Sequence, residues 1–304
     1  MLNTIYISFI WTCIYNLNVL TAQLKMEDLD FEDLDKYLLN QNGKIIHQIW
    51  FGTIPNKKTA KKAFEGLRKY RDSWLIENPS WTYVCWNLTR CKDLVRLFYT
   101  QHKEMYDKYP YQIQRCDTVR YFILHRYGGL YADMDYYCKR SWDEVIEHYK
   151  NDIYLVETPN KISNETHISN SLMYSRPGHV FWNKLFIELE KNQFAPIYYG
   201  KHVTIMFTTG PGILNRVYTI YKLRYRLDYY PYKFFHPYGL NSDILSLNDK
   251  QNVYAIHIGK GSWESYDSKW LIFIYQEYGI ITFVILTLII PSILLYIYKK
   301  YINN

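Results

Sequence analysis

The chain has 304 residues, of which 48% are hydrophobic, and a formal net charge of +7. This length and apolar content exclude a disordered chain and favour one folded body of about 230 residues with appendages over two domains. The basic residues are scattered rather than gathered in one block, and no nucleic-acid-binding module is recognisable. We therefore expect no nucleic-acid partner.

The chain begins with an apolar segment, residues 1–24, which contains Asn16 and Asn18 and has no early lysine or arginine. A cleaved signal peptide, a weak signal anchor and a peripheral helix are all compatible with it, and we favour a targeting segment. The acidic stretch that follows, residues 25–42, is predicted to be a linker that contains a short solvated helix.

Residues 43–269 form the body, in which predicted strands and helices alternate. Two short apolar runs rich in β-formers, residues 44–52 and 81–87, are predicted strands. Helices are predicted within 56–79, stopped by Asn78-Pro79, over 89–98 with Thr89 as possible N-cap, and over 111–127 with Gly128 ending the last one. This alternation predicts an α/β fold, Rossmann-like, with a mainly parallel sheet flanked by helices.

The five cysteines favour neither a zinc site nor a dense disulfide framework. Their number is odd, and they show no CxxC or Cys/His spacing. One bridge, such as Cys85 with Cys91, stays open from the sequence.

An uncharged segment of 21 residues, 278–298, lies near the C-terminus. As a helix it would be about 31 Å long, against a hydrocarbon core of about 30 Å, and Pro291 is tolerated in a membrane helix. We predict a transmembrane helix there, followed by the short basic tail 299–304. Since Lys299 and Lys300 favour the cytosolic side, the body would face a lumen. Sequons at Asn87 and Asn164 are compatible with that side.

The stretch GGLYADMDYY, residues 128–137, places two aspartates at the end of an apolar run. Alternation along a strand would send Tyr131, Asp133 and Asp135 to one face and the intervening apolar residues to the other. Two close carboxylates raise each other's pKa unless a cation intervenes. The candidates are a lysine or arginine, bulk water, or a hard divalent ion, Mn²⁺ or Mg²⁺.

The helix before this stretch carries Asp117 and Arg120, which are three residues apart and can pair on one face. The pattern Asp117-x-x-Arg120 … Gly-Gly-Leu-Tyr-Ala-Asp133-Met-Asp135 resembles the extended motif of glycosyltransferase family 32, which includes yeast-type α-mannosyltransferases and mannosyl-inositolphosphorylceramide synthases. Further segments resemble the family in the same order: residues 44–52, 78–86, 170–182, 208–214 and 257–263. The resemblance covers residues 43–263, nearly the whole body.

The resemblance implies a nucleotide-sugar-binding fold of the GT-A type and metal-assisted transfer of a hexose, with retention of configuration. Mannose from GDP-mannose is the first guess for the donor, with Mn²⁺ or Mg²⁺ as cofactor. The acceptor would be a glycan or a sphingolipid of the inositolphosphorylceramide type. The chain would cross the membrane once or twice, in the Golgi, the endoplasmic reticulum or host secretory membranes.

The resemblance also assigns roles to residues. Asp135 is expected to be the main metal ligand, and Asp117 and Arg120 would contact the sugar and phosphates. Asp133 would be a further metal ligand and lie by the ribose, and His257 would be a further ligand of the metal or of the diphosphate. The remaining donor contacts are expected from Trp50 on the nucleobase, Tyr131 by the ribose, Asn170 on the sugar, and Ser262 and Trp263 over the leaving group.

Structural interpretations of the same residues remain open from the sequence. Trp50 could be a core residue, Arg120 could merely neutralise Asp117, His257 could be a strand histidine bonded to backbone, and Asn170 could cap a turn. His47 is interpreted as structural. The alternative function is a catalytically inactive, membrane-anchored carbohydrate-binding or structural protein. A two-metal phosphodiesterase or nuclease is disfavoured, because only one ligand set is recognisable.

Overall fold

The computed structural model describes residues 26, 28–52, 57–148, 151–158, 166–196, 199–225, 227–237, 251–259, 266–271, 273–274 and 285–302. Four sequence predictions fall elsewhere. The targeting segment 1–24, the sequon at Asn164, Ser262 and Trp263 all lie outside the described residues.

A six-stranded mixed sheet forms the centre of the body. The strands of the chain are β1 (Ile45–Ile49), β2 (Thr82–Trp86), β3 (Gly129–Ala132), β4 (Tyr136–Cys138), β5 (Ile153–Thr158), β6 (His167–Ser175), β7 (Asp228–Tyr230) and β8 (Ala255–His257). The sheet order is β2-β1-β3-β6-β5-β7, and β4 and β8 form a separate pair. The predicted α/β architecture is confirmed.

The sheet is less uniformly parallel than the sequence predicted. Strand β1 runs parallel to both β2 and β3, and β5 runs parallel to β7. Strand β6, however, is antiparallel to both of its neighbours, β3 and β5. Because of this reversal, β6 lies beside the end of β3. The two aspartates follow that end of the strand.

Helices surround the sheet, and residues 266–271 form a further short, unnumbered helical segment. In the described residues they are α1 (Phe31–Leu39), α2 (Lys57–Glu65), α3 (Arg68–Glu77), α4 (Leu88–Phe98), α5 (Lys103–Lys108), α6 (Gln112–Tyr127), α7 (Trp142–His148), α8 (Val180–Lys191), α9 (Gly200–Thr208), α10 (Pro211–Tyr225), α11 (Tyr232–Phe235) and α12 (Ile290–Ile302). A 3₁₀ turn, Thr100–His102, precedes α5, and a π-helical turn, Ile285–Ile289, precedes α12.

Two predicted helix boundaries are wrong. The single helix predicted before Asn78-Pro79 ends there as expected, but it is broken at Gly66 and Leu67 into α2 and α3, because glycine is a poor helix former. Helix α4 is capped by Asn87 rather than Thr89, since the Asn87 Oδ1 atom accepts from the Arg90 backbone N–H at 2.9 Å.

The Cys85–Cys91 bridge left open above is absent. Both residues are free thiols, as are Cys116 and Cys138. Burial raises the pKa of the Cys91 thiol well above its usual value, so this side chain behaves as an apolar core residue rather than as a reactive group.

Helix α1 is present in the acidic stretch, but it is not the solvated helix predicted there. Leu34 and Leu38 are fully buried and join the main hydrophobic core. The Asp35 carboxylate accepts two hydrogen bonds from the Arg126 guanidinium, each 2.7 Å long. The acidic stretch therefore packs on the body through one amphipathic face.

Among the described residues, none of the helices combines the length and the apolar character that a bilayer crossing requires. The apolar segment 278–298 is described only from residue 285 onward, as the π-helical turn and most of α12.

Two glycines connect α6 to β3 and set the position of the acidic turn. Gly128 and Gly129 have φ angles of +66° and +86°, which side-chain-bearing residues rarely adopt. A Cβ atom on Gly129 would lie 2.4 Å from the Ile45 carbonyl oxygen. The buried His47 ring fixes the same turn, with Nε2 2.9 Å from the Gly128 carbonyl oxygen. His47 is thus structural, as predicted.

Gly129→Ala is expected to destabilise the fold by at least about 2 kcal/mol, because the cost of a positive φ angle adds to the cost of a clash with a backbone atom. The matched control is Gly66→Ala, where the new Cβ would meet nothing closer than 3.4 Å, so the change should stay within about 1 kcal/mol. Urea unfolding midpoints measure both. Equal midpoints for the two variants would show that the turn does not require glycine.

Candidate active site

A buried guanidinium lies at the centre of the predicted site. The Arg120 side chain is on α6, and the residue is only 3% exposed. Its Nη2 atom lies 3.0 Å from Asp117 Oδ1, and its Nη1 atom donates to Asp133 Oδ1 at 3.1 Å and to the Asn170 carbonyl oxygen at 2.9 Å. Arg120 therefore joins α6, the acidic turn and β6, and does more than neutralise Asp117.

Both carboxylate oxygens of Asp117 are held by protein groups. Asn170 Nδ2 donates to Oδ1 at 3.0 Å, and Thr209 Oγ1 donates to Oδ2 at 3.2 Å. Burial raises the pKa of Asp117 to about 6, although Arg120 lowers it. Asn170 lies within β6 and does not cap a turn, so that alternative is wrong.

Asp133 directly follows β3 and uses one of its two carboxylate oxygens for protein contacts. Its Oδ1 atom accepts from Arg120 and, at 2.7 Å, from the Tyr131 hydroxyl. Oδ2 has no hydrogen-bond partner among the described residues, and the side chain is 31% exposed. Burial raises the pKa of Asp133, whereas Arg120 and His257 lower it. One oxygen of Asp133 is therefore oriented by protein while the other remains open to a ligand.

The backbone of the acidic turn is fixed from two sides. The Asp133 N–H donates to the Ser171 carbonyl oxygen of β6 at 2.8 Å. The Asp133 carbonyl oxygen accepts from Gln48 Nε2 of β1 at 3.1 Å. The turn that carries the two aspartates is thus bonded to the neighbouring strands of the sheet.

Asp135 meets His257 because β4 pairs with β8. The antiparallel register sets Tyr136 opposite His257, and the two rings stack with centroids 4.5 Å apart. His257 Nε2 lies 3.2 Å from Asp135 Oδ1, and Nδ1 lies 2.6 Å from His236 Nε2. Both ring nitrogens of His257 therefore face side chains, and not backbone.

The predicted metal ligands are brought together. One ligand atom each from Asp133, Asp135 and His257 lies within 4.8 Å of the other two. Carboxylate oxygens suit hard cations such as Mg²⁺ and Mn²⁺, and a single imidazole beside them favours the transition ion. The donor set fits one divalent cation.

Trp50 lies close to the acidic turn. It follows β1 and packs on Phe64, with ring centroids 5.7 Å apart, against a cluster of Leu67, Tyr70 and Met134. Met134 is the residue between the two aspartates. Trp50 is only partly buried, so its indole is not enclosed in the core.

A cavity of about 220 Å³ opens beside Met134. Three basic side chains, Lys61, Arg68 and Arg71, contribute to its lining. They were not predicted from the sequence. The signal that would have identified two of them is the spacing of Arg68 and Arg71, three apart on one helix face. Glu65 also lines the cavity, and Arg71 is bound to Asp72. The remaining excess of basic side chains next to the acidic turn suits a phosphorylated ligand.

The part of the chain that matches a known family contains the acidic turn. Residues 65–152 match the family model of a glycosyltransferase sugar-binding region containing the DXD motif. Inositol phosphoceramide mannosyltransferase 3 of Schizosaccharomyces pombe is 30% identical over 210 residues, which are 69% of this chain and 54% of that protein. An uncharacterized glycosyltransferase of Acanthamoeba polyphaga mimivirus is 28% identical over 246 residues, covering 76% of this chain and 90% of that protein.

The chain spans about half the length of the first curated relatives it matches, 54% and 47%. Among solved structures, the ligand-free glycosyltransferase domain of the YGT toxin is 10% identical, covers 62% of this chain and 80% of that domain, and has a TM-score of 0.45. That value is too low to establish a common fold. The predicted resemblance to DXD-motif sugar transferases is confirmed by the family match and the relatives, which also support the prediction of a glycosyltransferase.

Proposed function

Residues 65–152 carry the DXD-containing sugar-binding region of glycosyltransferases, and from this premise we propose that the chain is a metal-dependent glycosyltransferase of the GT-A type. It would move a hexose from a nucleotide diphosphate to an acceptor hydroxyl. The observation that carries the proposal is the meeting of Asp133, Asp135 and His257 within 4.8 Å, beside the buried Arg120.

The proposed mechanism assigns charge stabilisation to the acidic turn and to α6. A divalent cation held by Asp133, Asp135 and His257 would supply positive charge to the leaving diphosphate. Arg120 is a fixed cation in a buried position, and it would stabilise the same developing charge. Asp117 keeps that guanidinium in place. No covalent nucleophile is required, and a leaving phosphate oxygen could accept the proton of the acceptor hydroxyl.

The donor nucleotide is proposed to lie over Met134 and the basic cavity. Trp50 is partly exposed beside that cavity, where its indole can stack on a base. Tyr131 is only 2% exposed, so it would orient Asp133 through its 2.7 Å hydrogen bond, and Asp133 would take the predicted place by the ribose. Asn170 would face the sugar. Ser262 and Trp263 keep their predicted role over the leaving group.

GDP-mannose and an inositolphosphorylceramide-type acceptor are proposed as the substrates. The support is the name of the relative from Schizosaccharomyces pombe, an inositol phosphoceramide mannosyltransferase, which is 30% identical to this chain. Transfer with retention of configuration is part of the same proposal.

A membrane-bound acceptor fits the surface of the C-terminal part. Helical residues Tyr266 and Trp270 are 85% and 64% exposed, and their spacing of four places them on one face. Asp267, on the same helix, fixes it to the body by accepting from the His202 backbone N–H at 2.9 Å. Interfacial aromatic residues of this kind are typical of bilayer surfaces.

The proposed domain organisation follows the sequence. Residues 43–269 form the transferase body, with 1–24 as targeting or anchor segment, 25–42 as a connecting segment, 278–298 as a membrane helix and 299–304 as tail. Ile293, Leu294 and Ile297 of α12 are all more than half exposed, which suits an apolar solvent. A Golgi, endoplasmic-reticulum or host secretory membrane with a lumenal body is the proposed location.

A donor screen tests the proposal. The full chain in detergent is incubated with Mn²⁺ and a set of nucleotide sugars, and released nucleotide diphosphate is measured. We expect release from GDP-mannose above that from the other donors and its loss with a chelator. Release from no donor would favour the alternative, an inactive carbohydrate-binding or structural protein.

A further inference from the structure

We propose that His236 is a positioning residue that holds the His257 ring with Nε2 directed at the metal site. The inference rests on the proposed function, because it concerns the metal ligand set. The carrying observation is the 2.6 Å separation between His236 Nε2 and His257 Nδ1. His236 is outside the DXD pattern, 21 residues before the histidine that it contacts.

Local structure keeps the His236 ring in place. His236 follows α11, and its backbone N–H donates to the Tyr232 carbonyl oxygen at 2.7 Å. The Tyr254 N–H, just before β8, donates to the Phe234 carbonyl oxygen at 2.8 Å. Phe235 stacks on Tyr254 with ring centroids 5.3 Å apart. The strand that carries His257 and the turn that carries His236 are therefore bonded to each other.

The hydrogen-bond chemistry of the pair explains what His236 supplies. A metal ligand at Nε2 must offer its lone pair there, so its proton must be on Nδ1. That proton needs an acceptor, and His236 Nε2 lies where it would be accepted. Outer groups of this kind orient ligating histidines in metal sites generally.

The imidazole of His236 can also form a hydrogen bond with His257 when no cation is bound. His257 can then carry its proton on Nε2 and donate to Asp135 Oδ1, 3.2 Å away. His236 in turn reverses and donates from Nε2 to His257 Nδ1. Each ring keeps one proton in both states: the His236 proton is on Nδ1 when a cation is bound and on Nε2 when none is bound. No proton is gained or lost.

A purely structural role explains His236 less well. Its Nδ1 atom is buried and has no hydrogen-bond partner among the described residues. Leaving a buried polar atom unsatisfied costs about 1–3 kcal/mol, which an apolar aromatic side chain would avoid. Within the part of the chain that the structure describes, the hydrogen bond to His257 is the polar contact that the His236 side chain makes.

The test compares Mn²⁺ binding by the full chain and two variants. His236→Phe keeps an aromatic ring but removes the hydrogen bond, whereas His236→Gln retains an amide that can accept or donate. Free Mn²⁺ is counted by electron paramagnetic resonance during titration. We expect the Kd for Mn²⁺ to rise about 10- to 100-fold in His236→Phe and to be largely restored in His236→Gln. Thermal unfolding without metal shows whether each variant is folded.

The outcomes separate this inference from the proposed function. Equal Mn²⁺ affinity of His236→Phe and the unsubstituted chain would overturn the positioning role and leave the metal site intact. Weakening of both variants to the same extent would indicate a packing role and would also overturn it. Failure of the unsubstituted chain to bind Mn²⁺ would overturn the metal site and this inference together.

Discussion

Asp135→Asn is expected to lower metal-dependent transfer and donor hydrolysis at least about 100-fold, which corresponds to about 2.7 kcal/mol of transition-state stabilisation. The amide keeps the size of the side chain but removes the negative charge that would face the proposed cation. The fold should survive, because the turn is held by backbone bonds of Asp133 to β6 and β1. Released nucleotide diphosphate and the Kd for Mn²⁺ are measured together.

The control for this variant is Asp33→Asn on α1, a chemically identical change at an exposed aspartate that pairs with Lys36 at 3.8 Å. It should retain full activity and Mn²⁺ affinity. Full activity of Asp135→Asn with unchanged Mn²⁺ dependence would refute the metal role of Asp135.

Arg120→Leu should be the most destabilising substitution in the site. It would leave the Asp117 carboxylate, in a residue only 4% exposed, without its cation. Removing one partner of a buried ion pair typically costs about 3–5 kcal/mol. Chemical unfolding of the metal-free chain measures the loss, and transfer activity should also disappear.

The dependence of this loss on pH follows from Asp117. Burial raises its pKa in the folded chain to about 6, from an ordinary 3.8. A carboxyl group with a raised pKa binds its proton more tightly in the folded state, so its ionisation destabilises folding as the pH rises. Arg120 lowers this pKa, so in its absence the free-energy cost of ionising Asp117 in the folded chain grows. The stability difference between Arg120→Leu and the unsubstituted chain should therefore be smaller at pH 5 than at pH 7.5.

Two control variants isolate the contribution of the Asp117–Arg120 ion pair to stability. Arg96→Leu removes an exposed arginine that pairs with Asp93 at 3.2 Å and should change stability by no more than about 0.5 kcal/mol. The double variant Asp117→Asn/Arg120→Leu removes the buried charge as well, so it should be more stable than Arg120→Leu alone. A double variant less stable than Arg120→Leu would contradict the buried-charge account.

Local sequence rules predicted the parts of the site that depend on short-range geometry. Residues three apart on a helix share a face, which predicted the Asp117–Arg120 pair, observed at 3.0 Å. The consecutive glycines predicted the end of α6 and the turn into β3. Alternation along β3 correctly separated Tyr131, which lies in the main hydrophobic core, from Leu130 and Ala132, which lie together in a second cluster.

Contacts between distant segments could not be predicted in this way. No local pattern indicates that β6 reverses direction and supplies the Asn170 carbonyl to Arg120. The partnership of His236 with His257 depends on the packing of α11 against β8. The ion pair that accompanies the burial of α1 joins Asp35 to Arg126, 91 residues away. Such contacts arise from tertiary packing, which overrides local preference.

The most direct test of the metal site is an anomalous-scattering map at the manganese edge, from crystals of the chain grown with Mn²⁺ and GDP. The account predicts one peak in contact with the Asp135 carboxylate and the diphosphate, with Asp133 and His257 adjacent. A map without a peak there, in which protein side chains such as Arg120, Tyr131 and His257 engage the two aspartates instead, would contradict the metal site.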